Sequence, residues 1–164
     1  MRRQVTQKKQ NKREGRVFYG SALELHFTAN GDNTMIKAYS LKKDGNKKLS
    51  TNFKVREFAC NDGSDPVFID SELVSVLQKI RNHFGKPVTI TSAYRTPPHN
   101  SKEGGTTYSQ HLYGKAADIK ISGIAPSKVG EYAEKLLPNN GGIGVYNTFT
   151  HIDVRGEKSR WNNK

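Results

Sequence analysis

The clearest periodicity in the chain lies between Ser71 and Phe84, where Leu73, Val76, Leu77, Ile80 and Phe84 fall at helical spacing and form one apolar stripe. Asp70 stands where an N-cap is needed, Glu72 sits in the favourable first turn, and Gly85 ends the pattern. The β-branched run in KPVTITSAYR then predicts a strand ending at Tyr94-Arg95. Thr96–Gln110 is rich in Pro, Gly, Ser and Thr and reads as a long loop, a length that usually serves function. AADIKI (Ala116–Ile121) predicts a second strand. A second helix runs from about Ser127 to Leu137, with Val129, Ala133 and Leu136 facing inward and Pro138 stopping it. IGVY and THIDVR predict two last strands. Helices and strands that do not alternate regularly imply an α+β fold, a small antiparallel sheet with packed helices, and not a doubly wound sheet.

Before Asn52 the pattern is weaker. VFYGSALELHF and MIKAYSL read as strands on either side of an Asn30–Asn33 turn, and KKDGNKK as a charged turn. Two strands alone are barely stable in water, so such a hairpin must lean on the rest of the chain. Charge sharpens the division. Of the net +12, residues 1–56 carry 14 Lys+Arg against 4 Asp+Glu, and residues 57–164 carry 13 against 11. The expectation is a basic extension over residues 1–50, disordered over 1–15 and with a possible hairpin, and one folded domain over 51–164. The basic N-terminus has no apolar segment behind it and does not read as a secretory signal. No stretch approaches the roughly 20 apolar residues of a membrane helix. Cys60 is the single cysteine, which excludes an internal disulfide and C-x-x-C metal motifs; it reads as a buried structural thiol.

The candidate chemistry sits in two places. Along THIDVR, His151 and Asp153 share one strand face while Ile152 and Val154 share the other. The polar pair is either a solvated face or half of a site. SQHLYGKAAD (Ser109–Asp118) supplies a second His and a second Asp, and Asp118 lies in an apolar setting between Ala117 and Ile119. A carboxylate buried there needs a metal, a cation or hydrogen-bond donors. Two imidazoles and a carboxylate with an open fourth position would suit catalytic zinc.

SQHLYGKAAD also matches the S-x-H-x-x-G-x-A-x-D motif of the zinc D-Ala-D-Ala carboxypeptidases and L-alanyl-D-glutamate endopeptidases, and the chain resembles that family. Both belong to the LAS-type group named for lysostaphin, the D-Ala-D-Ala metallopeptidases and Sonic hedgehog. Glu57–Cys60, the TSAYR strand end, His99-Asn100, Gly104-Gly105, GGIGVY and THIDVR stand in the family's order, from roughly Asn52 to Trp161. The resemblance implies a hedgehog/D-Ala-D-Ala-peptidase-like domain with His111, Asp118 and His151 as zinc ligands. Many relatives place a catalytic carboxylate three residues before the last His, where this chain has Thr148. The chain is more similar to the branch of the family with a final H-x-D, and that resemblance implies Asp153 as general base, with a role in orienting a ligand imidazole as the alternative. Arg95 is expected to bind substrate and offset developing negative charge. Ser109 is expected to contact substrate or the metal's surroundings, and Tyr94 and Tyr108 either to line the groove and meet substrate or to pack in the core or at the rim.

The implied activity is zinc-dependent (Zn2+) hydrolysis of peptide bonds in peptidoglycan stem peptides at the bacterial cell wall, by a phage endolysin or an enzyme released by another route. The competing reading is a non-catalytic zinc-containing wall-binding module. A monomer is expected. Anionic wall polymers are a candidate partner for residues 1–56, and nucleic acid is not, because no recognised module is present and aromatics do not interleave with the basic run.

Overall fold

The computed structural model describes residues 24–25 and 35–163. The expectations for residues 1–15 and for the Asn30–Asn33 turn lie outside them. In chain order the elements are β1 (Glu24–Leu25), β2 (Ile36–Ser40), α1 (Leu41–Asp44), β3 (Pro66–Asp70), α2 (Ser71–Phe84), β4 (Val88–Ser92), α3 (Pro97–Lys102), β5 (Ala116–Ile121), α4 (Pro126–Leu136), β6 (Gly142–Tyr146), β7 (Thr150–Asp153) and β8 (Ser159–Asn163). Short 3-10 helices occupy Val55–Phe58 and Gln110–Tyr113. None of the described helices is long and apolar enough to cross a membrane.

The strands form two sheets, not one: β1-β2-β3, and β4-β5-β7-β6-β8. The first is antiparallel; the second is mixed, because β8 lies parallel to β6. The reason is geometric. β6 and β7 form an antiparallel pair, and the chain returns after β7 to the free edge of β6, so β8 runs with β6. SRWNN has no apolar alternation to announce it. β3 escaped the pattern for a related reason, as PVFID is short and follows a turn-rich segment.

β2 is the middle strand of the first sheet, paired over Ile36–Ser40 with Asp70–Pro66. β2, which falls within the expected 1–50 extension, therefore shares a sheet with β3 from the rest of the chain. α2 is capped as its sequence requires: the Asp70 carboxylate accepts from the Glu72 N–H at 2.8 Å, and Gly85 closes the helix at φ 62°. Its Leu73, Leu77 and Ile80 are fully buried in one core with Phe53, Phe58, Val67, Ile119, Val129 and Ile152. α2 packs on β3 and β4, and α4 on β6 and β7, leaving β5 and β7 central.

Gly114 ties the first sheet to the segment that carries the site. It ends the Gln110–Tyr113 helix at φ 67°, and its carbonyl accepts the Asp70 N–H at 3.0 Å. A Cβ at this position would overlap the Phe68 carbonyl oxygen. Backbone in the left-handed region and a close backbone neighbour both demand glycine. Gly114→Ala should therefore lower unfolding stability by at least about 1–2 kcal/mol, read from the urea midpoint; an unchanged midpoint would contradict this packing.

Candidate active site

The pairing register of the second sheet brings the chemistry together. Asp118 on β5 lies directly opposite His151 on β7, and Ala116 opposite Asp153. Cross-strand neighbours share a face, so the carboxylate and imidazole meet without any loop having to deliver them. The His151 Nδ1 lies 2.9 Å from Asp118 Oδ1. The third member comes from the Gln110–Tyr113 helix. His111 Nδ1 donates to the Ala93 carbonyl at 2.6 Å, which turns Nε2 toward Asp118 Oδ1, 3.4 Å away. A backbone carbonyl can only accept, so this bond fixes the tautomer and leaves the Nε2 lone pair facing the cluster.

One donor atom from each of His111, Asp118 and His151 lies within 4.8 Å of the others, and all three residues are buried. Two imidazole nitrogens and one carboxylate oxygen, each with its remaining polar atom held elsewhere, form a set that could hold zinc. Asp118 Oδ2 is held by Arg95 Nη2 at 3.0 Å, and Arg95 Nε donates to Ser92 Oγ at 2.8 Å. Burial raises the Asp118 carboxyl pKa, but the His111 and His151 hydrogen bonds outweigh it and hold the group well below the usual carboxylate range.

Asp153, expected as general base or as the orienting partner of a ligand imidazole, lies away from the cavity. It is 0% exposed and does not line the cavity. Oδ1 accepts from the Gly142 N–H (3.0 Å), the Arg155 N–H (3.1 Å) and Arg155 Nε (2.8 Å). Oδ2 accepts from His151 Nε2 (3.0 Å) and Arg155 Nη2 (2.6 Å). A general base must reach water, and this carboxylate faces only the protein, so the geometry matches an orienting partner for His151. Burial raises the Asp153 carboxyl pKa, but its hydrogen bonds to His151 and Arg155 outweigh that and hold it below the usual carboxylate range, so it stays ionised. The two glycines of GGIGVY opposite β7 make room here. A Cβ on Gly142 would overlap the Asp153 carboxylate, and one on Gly144 the Trp161 indole.

A cavity of about 610 Å³ opens over the cluster, lined by Arg95, Ser109, His111, Asp118 and His151 together with Glu103, Tyr108, Arg155 and Trp161. Arg95 and Ser109 line this cavity, and Tyr108 stands 79% exposed at its edge. Tyr94, expected either at the groove or in the core, takes the core position. It is buried, packs edge-on against Phe68 at 5.3 Å, and does not line the cavity, because its side chain points from the strand end into the core. The expected loop after Arg95 contains the short helix α3, whose buried Asn100 donates to the Thr106 carbonyl at 3.0 Å and folds the segment over the cavity. Cys60 is a buried free thiol.

Sequence reasoning passed over Arg155 and Trp161. The Trp161 ring lies 5.1 Å from the His151 ring, and its Nε1 donates to Tyr146 Oη at 3.1 Å. The available signals were the basic residue two positions after Asp153 and the single tryptophan of the chain.

Residues 50–153 match a family model described as peptidase M15. The chain belongs to the peptidase M15 family. It is 34% identical over 102 residues to the peptidoglycan L,D-endopeptidase MepK of Escherichia coli K12, covering 57% of this chain and 54% of that protein. The probable MepK of Haemophilus influenzae is 31% identical over 96 residues, 52% of this chain and 50% of the relative. A zinc D-Ala-D-Ala carboxypeptidase of Streptomyces albus G is 43% identical over 44 residues, 26% of this chain and 17% of that enzyme. The chain spans about half the length of the MepK proteins it matches. The M15 match ends at Asp153, so Arg155 and Trp161 lie just beyond it.

The His151 imidazole sits between two carboxylates. Burial lowers its pKa, but hydrogen bonds to Asp118 and Asp153 raise it above the ordinary 6.5. In metal-free protein the resulting stabilisation is fully present below pH 6.5 and is lost as pH rises through the raised folded value. Chelator-treated protein should therefore melt higher at pH 6 than at pH 8, and His151→Gln should remove most of that difference. Zinc loading should reverse the trend, because ligands must shed protons to bind metal.

Proposed function

We propose that this chain is a zinc peptidase that hydrolyses peptide bonds in the stem peptides of peptidoglycan at the bacterial cell wall, with His111, Asp118 and His151 as the metal ligands. The observation that carries this reading is the convergence of those three donors on the wall of one cavity in a chain of the M15 family. The names of the relatives support the substrate. The MepK likeness covers more than twice the share of this chain that the carboxypeptidase likeness covers, which favours cutting an internal bond over trimming a terminal D-Ala. The same likeness supports a hedgehog/D-Ala-D-Ala-peptidase-like arrangement of the domain.

Zinc bound there supplies Lewis acidity and makes water acidic enough to ionise near neutral pH. The protein's part is to orient and to move protons. Arg95, held against Asp118 and facing the cavity, is placed to meet negative charge developing on the substrate carbonyl oxygen. Ser109 and Tyr108 offer hydroxyl groups to the peptide. With Asp153 enclosed, the proton acceptor is assigned to Glu103, the carboxylate outside the ligand set among the residues lining the cavity. The positive charge of residues 1–56 supports attraction to anionic wall polymers, which salt should weaken.

Mass spectrometry of muropeptides from purified walls should show new, chelator-sensitive fragments whose masses name the bond. No change across several wall types, with one zinc bound per chain, would favour the wall-binding module instead. Glu103→Gln should lower kcat by about 10²–10⁴-fold with zinc affinity intact. Asp153→Asn should instead weaken zinc binding by about 10–100-fold. The reverse outcome would return the base to Asp153.

A further inference from the structure

Arg155 has no part in the roles above, yet it makes a closer set of contacts than any other cation near the cluster. Its Nε and Nη2 grip the two oxygens of Asp153 in a fork, at 2.8 and 2.6 Å, and its backbone N–H adds a third bond at 3.1 Å. Two parallel bonds fix the plane of a carboxylate as well as its charge. That plane sets where Oδ2 points, and Oδ2 is the atom that meets His151 Nε2 at 3.0 Å. With Nε2 held, the opposite ring nitrogen, Nδ1, is turned toward Asp118. Arg155 is itself held in place. Its guanidinium lies over the Trp161 ring at 5.8 Å, and Trp161 packs beside His151.

Charge gives the same result independently. An imidazole that ligates a metal through one nitrogen and donates through the other is neutral. In the metal-loaded site Arg155 would then be the one cation bonded to Asp153 among the described residues. A carboxylate that is 0% exposed needs that partner to remain where it is.

Resting on the zinc reading above, we propose that Arg155 is a positioning residue for the metal centre: through Asp153 it locks the His151 ring in its ligating orientation and thereby sets the affinity of the site for zinc. It does so from outside the ligand set, without touching the ion.

The test is zinc affinity of the full chain, measured by competition with a chromophoric chelator at fixed pH. Arg155→Ala should bind zinc about 10–100-fold more weakly than wild type, the range of losses known when a hydrogen-bonded partner of a metal ligand is removed. Arg155→Lys should recover part of that loss, because it restores the charge but not the fork. Circular dichroism and melting of the metal-free variants establish that they are folded. Affinity of a folded Arg155→Ala within twofold of wild type would overturn the proposal while leaving the zinc site standing. If that variant does not fold, Arg155→Lys decides: weaker binding supports the fork and wild-type affinity overturns it. Wild-type protein that binds no zinc, or binds it equally well as His111→Ala, would remove the zinc reading itself and this proposal with it.

Discussion

A carboxylate in the middle of a five-stranded sheet must be met by positive charge or by donors, and nearly everything at this site is arranged around that demand from Asp118. Its two neighbours across the strands are Ser92 and His151, His111 reaches it from the adjoining 3-10 helix, and Arg95 holds its second oxygen. Left alone, such a group would cost several kcal/mol to bury. Surrounded in this way it stays ionised and offers one oxygen to a shared point between two imidazoles. The same need that stabilises the metal-free fold thus creates a place where a divalent cation can replace protons.

The scaffold that meets this demand is mostly backbone. Register places Asp118 against His151; the Ala93 carbonyl aims His111; Gly142 and Gly144 leave the space in which Asp153 and Trp161 sit. Gly114 joins the first sheet to the His111 segment at a point where no side chain fits. Sites built on strands and locked helix ends hold their geometry better than sites on loops; here Asp118 and His151 stand on strands and His111 on a 3-10 helix, while Arg95, Glu103–Ser109 and Arg155 on the cavity wall lie outside regular structure.

The elements with strong periodicity were legible in the sequence. The Ser71–Phe84 helix and the Ala116–Ile121 strand have the limits their patterns predict, because a full apolar face and flanking caps leave little freedom. The meeting of Asp118 with His151 was not derivable from spacing, since it depends on register between strands 33 residues apart; motif resemblance supplied it. β3 and β8 were missed because a short or polar strand has no period to read. Asp153 shares the His151 face yet is enclosed, because in a central strand both faces are buried and alternation cannot tell which polar residue reaches the cavity. Tyr94 lies beyond the end of the edge strand β4, where no alternation applies, and it packs in the core. Arg155 was overlooked because its partner was expected to face water.

The central claim is that zinc is held by two imidazoles and one carboxylate, with Cys60 uninvolved. Zinc-edge X-ray absorption of the loaded protein tests it most directly. The expected spectrum has only nitrogen and oxygen neighbours at about 2.0–2.2 Å, with multiple scattering from two imidazole rings. A sulfur shell near about 2.3 Å, or a spectrum without imidazole scattering, would contradict the site as assigned.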